Sequence, residues 1–172
     1  LPVLQITWAR YFFTVVFTFP LMFFFFKKYL VWTDKPKLQL IRGLILLTAN
    51  ISFFYSISVI SLPKALTLAF VAPLVVTAFS PIFLGESVGY RRWTAVIIGF
   101  IGSLVVIRPG FVEINIASLA ALGTGIMYGF YLIITRKLST SDNPLLTLLF
   151  TGVVGCIIAT TFMPFVWVSP TF

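Results

Sequence analysis

The sequence predicts an all-α integral membrane fold, with six membrane-crossing helices in its 172 residues. Three observations carry that expectation. First, 60% of the residues are hydrophobic and 9% charged, and the mean hydropathy is +1.11. An ordinary soluble domain carries about 25% charged residues. A chain this apolar cannot cover its surface with water-compatible groups, so lipid is its expected solvent. Second, six apolar runs each approach the roughly 20 residues that cross a bilayer. Third, the connections between runs are short and rich in Pro, Gly, Asp, Asn and Ser, which stop helices.

The first span is read at residues 8–26 and the second at 43–62, with the lysine-rich TDKPK turn between them. The third, 65–84, follows SLPK and holds Pro73 and Pro81 inside an apolar run. Gly85 suits its end, because glycine alone takes the left-handed cap without strain. Glu86 is read as a boundary residue. There a carboxylate favours the N-terminus of the next helix and can pair with Arg91 or Arg92. The fourth span, 91–107, is the shortest and needs both arginines to snorkel to the interface. Pro109 and Gly110 terminate it. The fifth covers 116–135 and the sixth 145–166, with Pro144 suited to the first helical turn.

Lysine and arginine alternate sides. Lys27, Lys28, Lys35, Lys37, Arg42, Arg91, Arg92, Arg136 and Lys137 fall on one side, and Arg10, Lys64 and Arg108 on the other. The positive-inside rule assigns the richer side to the cytoplasm. The loops after Phe26, Leu84 and Thr135 are then cytoplasmic. Trp8, Trp32, Trp93 and Trp167 each fall near a span end, where indole prefers the headgroup region.

Composition also excludes functions. The net charge of +8 sits in clusters between apolar runs, with no basic face for nucleic acid. There is no histidine and one cysteine, Cys156, read as a small inert hydrophobe. No disulfide, metal site or cofactor is expected within the chain. No signal peptide or lipidation motif is seen, and the apolar ends read as those of an excerpt.

Aligning Pro2 with Pro144 matches Leu4 with Leu146 and Thr18 with Thr160, and nearly superposes Pro20 on Pro164. The sixth span follows the first by five helices, an odd number, so equivalence of the two implies a repeat inverted in the membrane. Inverted repeats are a common transporter architecture, with the site at the midplane.

The stretch SLPKALTLAFVAPLVVTAFSPIFLGESVGYRRWTAVIIGFIGSLVVIRPG resembles the end of the first repeat of the drug/metabolite transporter superfamily, specifically the EamA family. The residues that carry the likeness are Ala65, Ala69, Pro73, the Leu84-Gly85-Glu86 closure, Gly99, Gly102 and Pro109-Gly110. ALGTGIMYGFYLIITRKLSTSDNP resembles the start of the second repeat. The resemblance implies a ten-helix bundle of two inverted five-helix repeats, with both termini cytoplasmic. Residues 1–112 would supply helices two to five, and 113–172 helices six and seven. It also implies a secondary transporter that moves a small organic metabolite or drug-like solute across the inner membrane by alternating access.

Substrate-path candidates follow from polar faces inside apolar spans. Thr48, Ser52, Tyr55, Ser56 and Val59 share one face of the second span, and Asn50 projects elsewhere. Thr124, Tyr128, Tyr131 and Thr135 share a face of the fifth. Such faces avoid lipid. Asn50, Tyr55, Tyr128 and Tyr131 are read as lining a path, and the hydroxyls as interhelical glue. Pro73 either opens a mid-membrane cavity or makes a static kink, with Thr77 and Ser80 as nearby donors for the backbone it frees. Gly125 and Gly129 form GxxxG; Gly99 with Ser103, and Gly155 with Ala159, are small-xxx-small pairs expected to bring helices close. Phe23–Phe26 is expected to face lipid. Two other classes compete: a structural or assembly subunit, and a membrane-embedded enzyme. The second lacks a catalytic constellation, because the four acids all fall in loops.

Overall fold

Residues 2–26, 33–107 and 115–168 are described in a computed structural model of the chain. They form seven helices: α1 (Val3–Phe26), α2 (Pro36–Val59), α3 (Leu62–Ala69), α4 (Ala72–Leu84), α5 (Tyr90–Ile107), α6 (Ile116–Leu138) and α7 (Pro144–Val166). No strand occurs among the described residues. Five stretches are long and apolar enough to cross a membrane: Val3–Phe24, Pro36–Val59, Leu62–Leu84, Ile116–Leu138 and Pro144–Val166.

The chain divides into two compact units. One comprises Leu1–Leu47 with Ile134–Phe172, the other Thr48–Ile133, so the boundary falls inside α2 and α6.

In the first unit α1 and α7 pack along their lengths. Gln5 exchanges hydrogen bonds with the backbone of Val168 at 2.9 and 3.4 Å. Gly155 lies under the ring of Tyr11, and Gly152 against Val15. Contacts that rise along one helix and fall along the other make the pair antiparallel. Gly155 is required here: an added Cβ would stand 2.5 Å from Tyr11 Cδ1. Its small-xxx-small partner Ala159 is buried as well. Trp8 donates to Thr160 Oγ1 at 2.9 Å and meets Trp167 edge-on at 6.2 Å. Phe23 and Phe24 are exposed, as a lipid-facing run requires.

In the second unit α2 and α6 run antiparallel. Thr124 Oγ1 donates to the Ala49 carbonyl at 3.3 Å, and Ser56 Oγ to that of Ala117 at 3.0 Å. In the first unit α2 and α7 run parallel, since Gln39 meets Thr147 and Gly43 meets Val154. The 18-residue α5, expected as the fourth span, is not among the five membrane-length stretches.

Several expectations are corrected. The second helix starts at Pro36, not residue 43, so Arg42 is inside α2 rather than in a loop. Proline at the first position needs no N–H partner, and Lys35 O accepts the following amides of Leu38 and Gln39. The third span is two helices with a turn at Phe70 and Val71. The polar face of α2 splits, with Ser56 buried and Thr48, Tyr55 and Val59 exposed. Gly99 makes no close approach among the described residues, because a Cβ there meets nothing within 4 Å. Pro109 and Gly110 lie outside the described residues.

Candidate functional site

All five path candidates, Asn50, Tyr55, Pro73, Tyr128 and Tyr131, belong to the second unit. The feature that organises it is the break in the third span. Proline has no N–H, and its ring crowds the carbonyl four residues back. For Pro73 that carbonyl belongs to Ala69, the last residue of α3. The helix tightens there: Phe70 N–H is shared between Leu66 and Thr67, and Val71 N–H reaches Leu68 at 3.4 Å. Pro73 then opens α4.

The freed carbonyl meets α6. A Cβ on Gly125 would stand 2.6 Å from Ala69 O and 2.6 Å from Val71 Cγ1. One on Gly129 would stand 2.7 Å from Val75 and 3.1 Å from Ala72 O. Only a Cα hydrogen fits in such a gap. The GxxxG seam therefore packs on the break itself, where proline removes a backbone donor. Beyond it Phe130 packs against Phe79, tilted at 5.1 Å, and Phe83, edge-on at 6.0 Å. α4 ends as foreseen, with Gly85 at φ +68° and its N–H on Pro81 O at 3.1 Å. Glu86 is half-buried beyond it. Ser80, expected as a donor to freed backbone, is not one: its hydroxyl is buried with no partner among the described residues.

The tyrosines divide by depth. Tyr128 and Tyr131 stack on each other at 5.5 Å, inclined by 24°. Tyr128 is 43% exposed and Tyr131 half-buried. Tyr55 is 41% exposed near the end of α2, while Asn50 is buried.

The first unit contains a polar cluster that the loop-charge reading missed. Arg42, Gln39 and Asp142 are 2%, 0% and 7% exposed. Arg42 donates to the hydroxyl of Thr135 at 3.2 Å, and also to the carbonyl of Thr147 and the hydroxyl of Thr151. The Asp142 carboxylate accepts from Thr33 Oγ1 at 2.5 Å and Gln39 Nε2 at 2.6 Å. Asn143 caps α7 through Leu145 N–H at 2.9 Å, and Pro144 follows in its first turn. The cluster thus ties the start of α2 to the end of α6 and the start of α7. Buried charge is tolerated only when so paired. A legible signal existed: Thr147 and Thr151 are hydroxyls one helical turn apart, just after the single acid of the α6–α7 turn. No group of three or more His, Cys, Asp or Glu that could hold a metal occurs among the described residues.

Comparison with known proteins decides the family. Residues 1–108 match the EamA-like transporter family. The chain belongs to that family. It is 24% identical over 167 residues to an S-adenosylmethionine uptake transporter of Rickettsia bellii (strain RML369-C), covering 97% of this chain and 57% of that protein. A riboflavin transporter of Vibrio cholerae is 35% identical over 81 residues, which are 47% of this chain and 27% of the relative. One from Rhizobium johnstonii is 30% identical over the same length. No solved structure matches. The chain spans a little over half the length of the first of these relatives. The matched family is described as transporter-like, and a chain of it with these helices is a multi-pass membrane protein.

Proposed function

We propose that the protein to which this chain belongs is a secondary transporter, moving a small organic metabolite across the inner membrane by alternating access. The observation that carries this is the interrupted third span, seated on the Gly125–Gly129 seam beside a polar face of α6. Interrupted helices and close glycine contacts are how helical transporters build a midplane site while keeping helices able to shift. The relatives named for S-adenosylmethionine and riboflavin uptake support a solute of metabolite size.

In this reading the whole protein has ten helices in two inverted repeats. Residues 1–112 contribute helices two to five, and 113–172 helices six and seven. The antiparallel packing of α1 on α7 supports it, since helices equivalent by inversion must run oppositely. The lysine- and arginine-rich loops are cytoplasmic. Asn50, Tyr128 and Tyr131 line the path, with Tyr55 at its mouth and Pro73 setting the break.

The test uses full-length protein. A metabolite panel is screened by thermal shift, and the hits are measured for uptake into proteoliposomes. A substrate is expected to raise Tm and to move vectorially, and Asn50→Ala to impair its uptake while inserting normally. Absence of any stabilising solute favours an assembly subunit and overturns the proposal, as does turnover without movement.

A further inference from the structure

Tyr128 is in an unusual place for its residue type. It is thirteenth of the 23 residues of α6, about 18 Å along the helix axis and so at mid-span. Tyrosine in membranes prefers the interface, where its hydroxyl meets water. At mid-span the hydroxyl needs a polar partner, yet the Tyr128 side chain has no hydrogen bond among the described residues. Nor does it sit on the lipid-type face. It follows Ala117, Ala121 and Thr124, which are buried, at helical spacing. Leu119 and Ile126, exposed and apolar, occupy the opposite side.

One face of the Tyr128 ring rests on Tyr131 at 5.5 Å, nearly parallel. That contact holds the ring on one side, and the residue as a whole is 43% exposed, with no second ring contact among the described residues. A held ring with one open face is a stacking surface. The charge nearby is as informative. Residues 48–59, α4 and residues 116–133 contain no Lys, Arg, Asp or Glu. A phosphate or carboxylate finds no counter-charge there, and a sugar too few hydrogen-bonding groups.

We propose that the open face of Tyr128 receives a planar heteroaromatic ring of the transported solute, with the phenol donating to a ring nitrogen or carbonyl oxygen. Tyr131 backs the stack. Thr124 holds α6 at the Ala49 level of α2, one residue from Asn50, which offers a second polar group at that depth. This rests on the transporter reading above and names its substrate class.

The test is uptake by full-length protein in proteoliposomes. The planar probes are riboflavin and adenosine; the non-planar probes are ribitol and ribose, the polyol and the sugar that those two carry. A planar probe is expected to be carried. Its apparent KM should rise tenfold or more in Tyr128→Leu and less, about three- to tenfold, in Tyr128→Phe, which keeps the ring and loses the phenol donor, with Tm measured without solute as the folding control. Tyr128→Trp, which keeps a stacking face, decides if the Leu variant fails to fold: retained KM supports the proposal, a tenfold loss opposes it. Uptake confined to non-planar probes, or an unchanged planar KM in Tyr128→Leu, overturns the ring proposal and leaves the transporter standing. Movement of no probe in wild type overturns both.

Discussion

The two units solve the same problem in opposite ways. Each must hold helices together inside an apolar solvent, where the hydrophobic effect between helices is absent. The first unit uses charge, closing Arg42 and Asp142 inside hydroxyls, a carbonyl and an amide. The second uses the absence of side chains, letting Gly125 and Gly129 bring α6 onto the backbone of α3 and α4. Charge networks are directional and costly to disturb. Glycine seams tolerate small sliding and fail only when something is added. A moving path fits better beside a seam than inside a charge cluster.

Substitutions separate the two modes, and the largest effect is expected at Arg42. Arg42→Leu removes the donors to Thr147 and Thr151 and leaves the Asp142 carboxylate behind, which should cost about 3–5 kcal/mol in an unfolding assay in bicelles. Adding Asp142→Leu should recover part of that loss if the two charges act as one network through Gln39 and Thr147, which lie between them. Additive costs would show that the cluster is not one network. Thr33→Val removes a single bond to the carboxylate and should cost about 2 kcal/mol by the same assay. Gly125→Ala should cost about 1–2 kcal/mol, since the methyl meets a carbonyl that cannot swing away. Gly99→Ala is the control for the seam. With open space around it, its Tm should hold or rise slightly, because alanine favours helix by about 0.5–1 kcal/mol. Equal losses at Gly99 and Gly125 would mean that α5 is packed as closely as α6.

The spans were legible because hydropathy integrates over some 20 residues and forgives local error. The seam was legible as well, since GxxxG has a packing meaning of its own. Its target was not: nothing in VAPLVV says that the carbonyl of Ala69 will face Gly125, 56 positions on. Arg42 and Asp142 were missed for a different reason. Counting charges by loop treats every cation as solvated, and residue 42 stands six places after a proline that can open a helix. Burial of the pair depends on threonines about 100 positions away in the chain. The depth of Tyr128 was readable, but its stacking on Tyr131 needed side-chain geometry. Ser80 was taken for a donor because it is near a proline, and proximity in sequence does not aim a hydroxyl.

The α1–α7 pair carries its own reporter. Trp8 and Trp167 meet edge-on at 6.2 Å, and Trp8 is anchored to Thr160 by its indole nitrogen. Two indoles that close couple their transitions, so near-ultraviolet circular dichroism reads the union of the first and last described helices without any attached label. A transporter that works by moving its helices would then announce, in its own absorbance, whether this pair takes part.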